Sequence, residues 1–372
     1  MNAGASRIHG RKAADFLRRL AGGGSSASAG PVHIRSHGDT WHLLVLFVIA
    51  SMPAAFVGML YAGDTWLSLI GSADGPVAGW RVTLLSAAGL AASGSVLNAT
   101  AAGLLLLLPL LLAAMIASIG WEILFATKRK RPVDPGWLMS SWLFVLLLPP
   151  ETPLLFAVIG MSFGSIFGSL VFGGTGRYIV SPAVAGALFV HFAYPAILEV
   201  DSTWSVVAGI GTAAAVDQGI TWWQVFLGRE SGLLGTPSAL ACIAGAVLLV
   251  SSGVASWRTL AGGLLGLLLA ATVATGSSDT PPLSWQFALG NFAFCWAFLL
   301  TDPTTMPLTR AGRWVHGAVF GALVIVMRSA DPTHPEASLF AVMIAALLVP
   351  MIDYIALRAY RWRHGSGLGI RT

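Results

Sequence analysis

Apolar runs recur from Trp41 to the C-terminus, and polar or charged residues gather in the short stretches between them. A helix needs about 20 predominantly apolar residues to cross the hydrocarbon core of a bilayer. Runs of that order predict spans near 42–61, 103–125, 137–149, 154–171, 182–195, 234–252, 258–276, 284–300, 313–328 and 337–357. Several are short, and these are expected to tilt or to break within the membrane. The pattern therefore predicts an all-α polytopic membrane protein with about ten transmembrane helices.

Composition names the solvent. Of the 372 residues, 56% are hydrophobic and 10% charged, with a mean hydropathy of +0.77, so most of the chain is built for lipid. No soluble catalytic domain is predicted. Residues 1–41 hold Arg7, Arg11, Lys12, Arg18, Arg19 and Arg35 around the flexible run AGGGSSASAG. No short apolar core with a small-residue cleavage site follows the charges, so a cleavable signal peptide is not expected. Within this segment, RIHGRKAADFLRRLAG (7–22) sets Ala13, Phe16, Leu17 and Leu20 on one helical face, suited to the inner membrane surface or to a partner.

Charge then sets the expected orientation. With the N-terminus cytoplasmic, Lys128 to Arg131, Arg177, Arg258, Arg310, Arg313 and the tail Arg358, Arg361 and Arg363 all fall inside. Both ends are thus expected in the cytoplasm. The outer loops, 62–102, 196–233 and 277–283, carry mostly Asp and Glu. Because the basic residues follow this topology, no nucleic-acid role is predicted.

Residues 172–182, FGGTGRYIVSP, look like a phosphate-cradling loop, but their spacing fits neither GxxxxGK[ST] nor GxGxxG. A second pattern is more informative. Shifting the chain on itself by 153 positions pairs Leu146-Leu147 with Leu299-Leu300, Pro150 with Pro303, Thr152 with Thr305, Gly164 with Gly317, Phe167-Gly168 with Phe320-Gly321 and Pro182 with Pro335. The topology puts PPETP (149–153) outside and DPTTMP (302–307) inside, so the copies are upside down. Two inverted repeats of about five helices are expected, divided as 1–41, 42–196, 197–233, 234–358 and 359–372, with Pro-broken helices of the two halves meeting around a site within the bilayer.

At this point a resemblance enters. The segments VHIRSHGDTWHLL (32–44), MPAAFVGMLYAGD (52–64), EILFATKRK (122–130), LLPPETPL (147–154), SFGSIFGSLVFGGTGRYIVSPA (162–183), FAYPA (192–196), ASWR (255–258), TDPTTMP (301–307) and MRSADPTHPEASLFAVMIAALLVPMIDY (327–354) resemble, in order, the NqrB/RnfD family of membrane subunits, found in the sodium-translocating NADH:quinone oxidoreductase and in the Rnf complex. The resemblance implies a bacterial inner-membrane protein of ten helices in two inverted halves, a fold shared with urea-type channels. It also implies partner subunits, quinone as a reactant, and electron transfer through flavins coupled to ion movement. It marks Gly173, Gly174, Thr175, Gly176, Arg177, Asp302 and Thr305 as candidates for a non-covalent riboflavin or FMN. Glu122, Asp302, Glu336 and Asp353 are the candidate ion pathway, since carboxylates held in a membrane are costly and functional by default.

The chain departs from that family in two places. Where the family has asparagines after the glycines, this chain has Tyr178 and Ser181, and neither offers a flavin's pyrimidine edge the paired donor and acceptor of an amide. The threonine that carries covalent FMN is replaced by Ala214, with Thr212 two residues early, so no covalent FMN is expected. In the segment GLLGTPS (232–238), Thr236 stands where the family has Glu. For Glu122 two readings stay open, the ion pathway and a place in the headgroup zone facing Lys128 and Arg129; Arg328 is expected to pair with Asp331, and Asp353, poorly placed for Arg358, to find a partner on another helix. His191 and His316 lie at different expected depths and do not suggest a haem, and Cys242 and Cys295 suggest neither a disulfide nor a metal site. The glycine pairs Gly164/Gly168 and Gly317/Gly321 read as helix-packing faces, and most of the 14 tryptophans as an interfacial belt. Three readings stay open: an electron-transfer subunit with a flavin or quinone site, an ion or solute conduit without redox chemistry, and a cofactor-free membrane anchor of a redox complex.

Overall fold

The computed structural model describes residues 37–71, 80–90, 94–195, 221–228, 232–274, 282–288, 290–330 and 337–364. Among these residues every regular element is helical. The helices are α1 (His37–Gly71), α2 (Trp80–Ala87), α3 (Val96–Arg129), α4 (Gly136–Leu146), α5 (Leu154–Phe163), α6 (Pro182–Ala193), α7 (Trp222–Leu227), α8 (Ala239–Ser251), α9 (Trp257–Ala274), α10 (Leu283–Ala288), α11 (Phe292–Phe294), α12 (Arg310–Ala330) and α13 (Ala337–His364). Wider π turns continue α5 through Gly164–Leu170 and α11 through Cys295–Leu299.

Four stretches are long and apolar enough to cross a membrane: Trp41–Ser68, Val96–Arg129, Trp257–Ala274 and Ala337–Trp362. On α3 the residues Leu104, Leu108, Leu112 and Ile116 face outward at a spacing of four, while Leu106, Leu110, Ala114 and Ser118 face inward. An outer stripe of leucine is stable only against lipid, so the chain is a multi-pass membrane protein.

The first helix runs well past its predicted end. Trp66 and Leu67 are buried with Leu85, Ala102 and Leu106, and this second apolar cluster carries α1 on to Gly71 and orders α2, where a loop was expected. The tryptophans also divide. Trp66, Trp142, Trp285 and Trp296 are buried rather than interfacial, with the Trp142 indole donating to Ser51 Oγ at 2.7 Å and that of Trp296 to the Leu260 carbonyl at 2.9 Å. A core tryptophan needs such an acceptor.

The two proline-stopped helices form the centre. Every residue from Met139 to Leu148 is buried, as is every one from Phe292 to Asp302, and both stretches belong to one apolar cluster with α1, α3, α6, α8, α12 and α13. After α4 the prolines of LLPPETP end the helix and free its last carbonyls. Those of Leu146 and Leu148 accept the N–H groups of Gly235 at 2.7 Å and Leu234 at 3.1 Å. Irregular backbone survives in an apolar interior because another part of the chain satisfies it. Around this centre α3 packs on α5 as α9 packs on α12, and α1 meets α8 as α6 meets α13.

Glycine lets two of these helices touch along their backbones. A methyl group at Gly317 would collide with the Thr259 carbonyl, at Gly321 with that of Gly263, at Gly266 with that of Ala318, and at Gly262 with that of Trp314. Gly164 and Gly168 make the equivalent approach to Pro182 and Gly186 on α6. Both glycine pairs are packing faces. Gly321→Ala is expected to destabilise the detergent-solubilised chain by about 1–3 kcal/mol, as overpacking does. The thermal midpoint checks this, and an unchanged midpoint would show a looser α9–α12 seam.

Candidate functional site

The site begins at the end of α3. Lys130 adopts the left-handed conformation (φ 52°), and the Arg131 N–H returns to the Ala126 carbonyl at 3.0 Å. This reversal points Arg131 back along its own helix, where its guanidinium meets Glu122 Oε1 at 2.9 Å. The same oxygen accepts the Asp134 N–H at 3.2 Å. Glu122 is buried and its ion partner is Arg131, not Lys128 or Arg129; the reversal at Lys130 decides the difference.

Arg131 also reaches forward. Its Nη1 donates to the Gly173 carbonyl at 2.8 Å, Arg129 Nη1 donates to the Leu170 carbonyl at 2.7 Å, and Asp134 Oδ2 accepts the Thr175 N–H at 2.8 Å. The loop after the α5 π turn is therefore clasped by the loop after α3. Gly173 (φ 117°) and Gly174 (φ 101°) take positive φ, and a side chain on Gly174 would run into the Arg131 guanidinium. Gly176 is also at positive φ, and Arg177 is exposed. Beneath the clasp lies a cavity of about 20 Å³ lined by Ser118, Glu122, Ser140, Ser165, Ser169 and Thr175 among others, room for about one water molecule.

Asp302 stands immediately after the α11 break. Its Oδ1 accepts the Thr304 N–H at 2.9 Å and the Thr304 hydroxyl at 2.6 Å; its Oδ2 accepts the Tyr178 hydroxyl at 3.3 Å. Asp302 is 1% exposed and Tyr178 7%. The Thr305 hydroxyl is 3.5 Å from the Asp302 carbonyl and donates there.

The far end of the 302–309 loop is pinned by α13. Asp353 accepts the N–H groups of Leu308 at 2.9 Å and Thr309 at 3.2 Å and the Thr309 hydroxyl at 2.6 Å, while Thr309 caps Gly312 at the start of α12. The interhelical partner expected for Asp353 is thus the backbone entering α12. Asp353→Ala is expected to cost about 1–2 kcal/mol, as loss of a helix cap does, read again in the thermal midpoint.

The structure brings Glu122, Gly173 and Thr175 into one cluster and ties Asp302 to Tyr178, three residues further along the same loop. Asp353 joins only through the 302–309 loop. Glu336, Thr212, Ala214, Asp331 and the 7–22 helix lie outside the described residues. Arg328 is buried and donates to the backbone and side-chain oxygens of Gln286, both at 2.7 Å. His191 ends α6 and His316 sits within α12. Among the described residues no three His, Cys, Asp or Glu side chains are grouped to hold a metal ion, and Cys242 and Cys295 are free. Arg131, Asp134 and Thr304 join the site without having been marked by the sequence. Their only signal was position, beside prolines that end helices.

Comparison with known proteins now decides the family. The family model for NQR2, RnfD and RnfE matches residues 27–361. The chain belongs to the NQR2, RnfD, RnfE family. It is 35% identical over 348 residues to the NqrB protein of the Na(+)-translocating NADH-quinone reductase of Pseudomonas paraeruginosa, covering 88% of this chain and 86% of that protein. The NqrB of Chromohalobacter salexigens is 35% identical over 352 residues (90% and 86%), and that of Haemophilus influenzae 33% over 358 residues (88% and 86%).

The resemblance implied a non-covalent flavin at Gly173 to Arg177, Asp302 and Thr305. The Asp302 carboxylate spends three acceptor positions on Tyr178 and Thr304, the Thr175 N–H goes to Asp134, and the Gly173 carbonyl goes to Arg131. Around Asp302 most of the groups that would meet a flavin's polar edge are thus engaged by the chain itself. In this arrangement the residues around Asp302 do not fit the cofactor.

Proposed function

We propose that this chain is the integral membrane subunit of an Nqr/Rnf-type complex, in which partner subunits carry electrons and this subunit's two inverted halves serve the coupled ion movement. The observation that carries the reading is the buried meeting of the two halves: the loop after the α5 π turn and the loop after the α11 break join at Tyr178 and Asp302, inside a family match that spans the chain. The inverted repeat is supported by the 153-residue offset, by two proline-stopped helices at the centre, and by the like-with-like contacts of α1 with α8 and α6 with α13. The relatives' own name couples sodium translocation to NADH-quinone reduction, and that coupling is what we assign to the complex here. Both termini are assigned to the cytoplasm on the distribution of Lys and Arg.

A second reading is favoured by a specific departure. Ala214 removes the hydroxyl at the covalent-FMN position, and Tyr178 takes the place of an amide, so the chain would act as a conduit without redox cofactors of its own. Mild solubilisation of a tagged chain separates the two readings. The first predicts stoichiometric co-purification of subunits with iron–sulfur or flavin domains, and sodium uptake by proteoliposomes that requires NADH and quinone. Purification of the chain alone, with ion flux that needs no reductant, would favour the second.

A further inference from the structure

We propose that Tyr178 is an internal plug: its ring and hydroxyl fill the seam beside Asp302, closing it to a planar heterocycle such as a flavin, and latch the two halves directly. This deepens the reading above and rests on it for the assignment of the halves.

The geometry argues for a latch rather than a chance contact. The phenol and the carboxylate come from residues 124 apart in sequence, and both are more than nine-tenths buried. A carboxylate has about four acceptor positions, and three are taken on Asp302, two by Thr304 and one by Tyr178. Neither wall of the seam is free to withdraw. On one side Arg131 holds the Gly173 carbonyl and Asp134 the Thr175 N–H, which fixes the loop three residues before Tyr178. On the other, Asp353 holds Leu308 and Thr309, which fixes the far end of the loop that Asp302 opens. A ligand with donors for Asp302 has to expel the phenol, because the loops on both sides are tethered to their own halves.

The test is riboflavin binding to the purified complex. Tritiated riboflavin is titrated into wild type, Tyr178→Phe and Tyr178→Ala, and acid-released riboflavin is counted per copy of the chain. Wild type and Y178F, which keeps the ring, are expected to show no site attributable to this chain. Y178A is expected to gain one site with at least tenfold tighter binding than wild type. Tyr178→Asn carries the same comparison should Y178A fail to assemble, with subunit stoichiometry and thermal midpoint as the checks on folding. Riboflavin present in wild type and lost in Y178A would make Tyr178 a ligand contact and overturn the proposal. An assembled Y178A or Y178N complex without a gain would overturn it too. If the chain purifies without partners, the functional reading above fails, and the same titration on the isolated full chain still decides the plug.

Discussion

Arg131→Met is expected to destabilise the chain by about 3 kcal/mol, the lower end of the range for breaking a buried ion pair. Glu122, with a side chain 8% exposed, would keep its charge away from water and lose its ion-pair partner; Arg131 itself is 21% exposed, which places the cost at the lower end. The Gly173 carbonyl would lose its donor at the same time. The double variant Arg131→Met/Glu122→Gln is expected to recover most of the loss, because a neutral amide no longer needs the guanidinium. Unfolding midpoints of the detergent-solubilised single and double variants check this. Equal destabilisation in both would place the cost in the Gly173 contact instead.

Asp302→Ala is expected to cost about 2–3 kcal/mol, chiefly because it strands the buried Tyr178 hydroxyl, a loss worth about 1–3 kcal/mol, while the donors of the half-buried Thr304 can turn to water. Asp302→Asn keeps an acceptor for Thr304 and sets an NH₂ against the phenol oxygen, so its expected cost is about 1 kcal/mol. In a cycle with Tyr178→Phe the coupling energy is expected at about 0.5–1.5 kcal/mol, the range for an ordinary hydrogen bond, because 3.3 Å is long for O–H···O. Additive losses would mean that the two residues do not hold each other.

Helix placement was legible where burial and apolarity coincide. The runs that end at Leu146 and Leu299 stop where Pro149, Pro150 and Pro303 interrupt them, and the structure breaks the helices there. The end of α1 was not legible, because Asp64, Thr65 and Ser68 break the apolar run while Trp66 and Leu67 pack against α2 and α3; that packing is tertiary. The same holds for Glu122. Nine residues along a straight helix is about 13 Å, out of reach for Arg131, and only the left-handed turn at Lys130 brings the pair together. For Asp353 the poor spacing to Arg358 correctly pointed off the helix, but backbone N–H groups as partners have no sequence signature. Tyr178 shows the limit most clearly. Its chemistry argued against an amide-like flavin contact, yet nothing local to FGGTGRYIVSP reveals a bond to a carboxylate 124 residues further along the chain.

The most direct measurement is a cryo-EM map of the assembled complex at a resolution that shows side chains. Tyr178 density is expected to run to Asp302, with Thr304 on the opposite carboxylate oxygen and no tricyclic density between the loops. A planar ligand stacked in that seam, with Tyr178 turned away from Asp302, would contradict this.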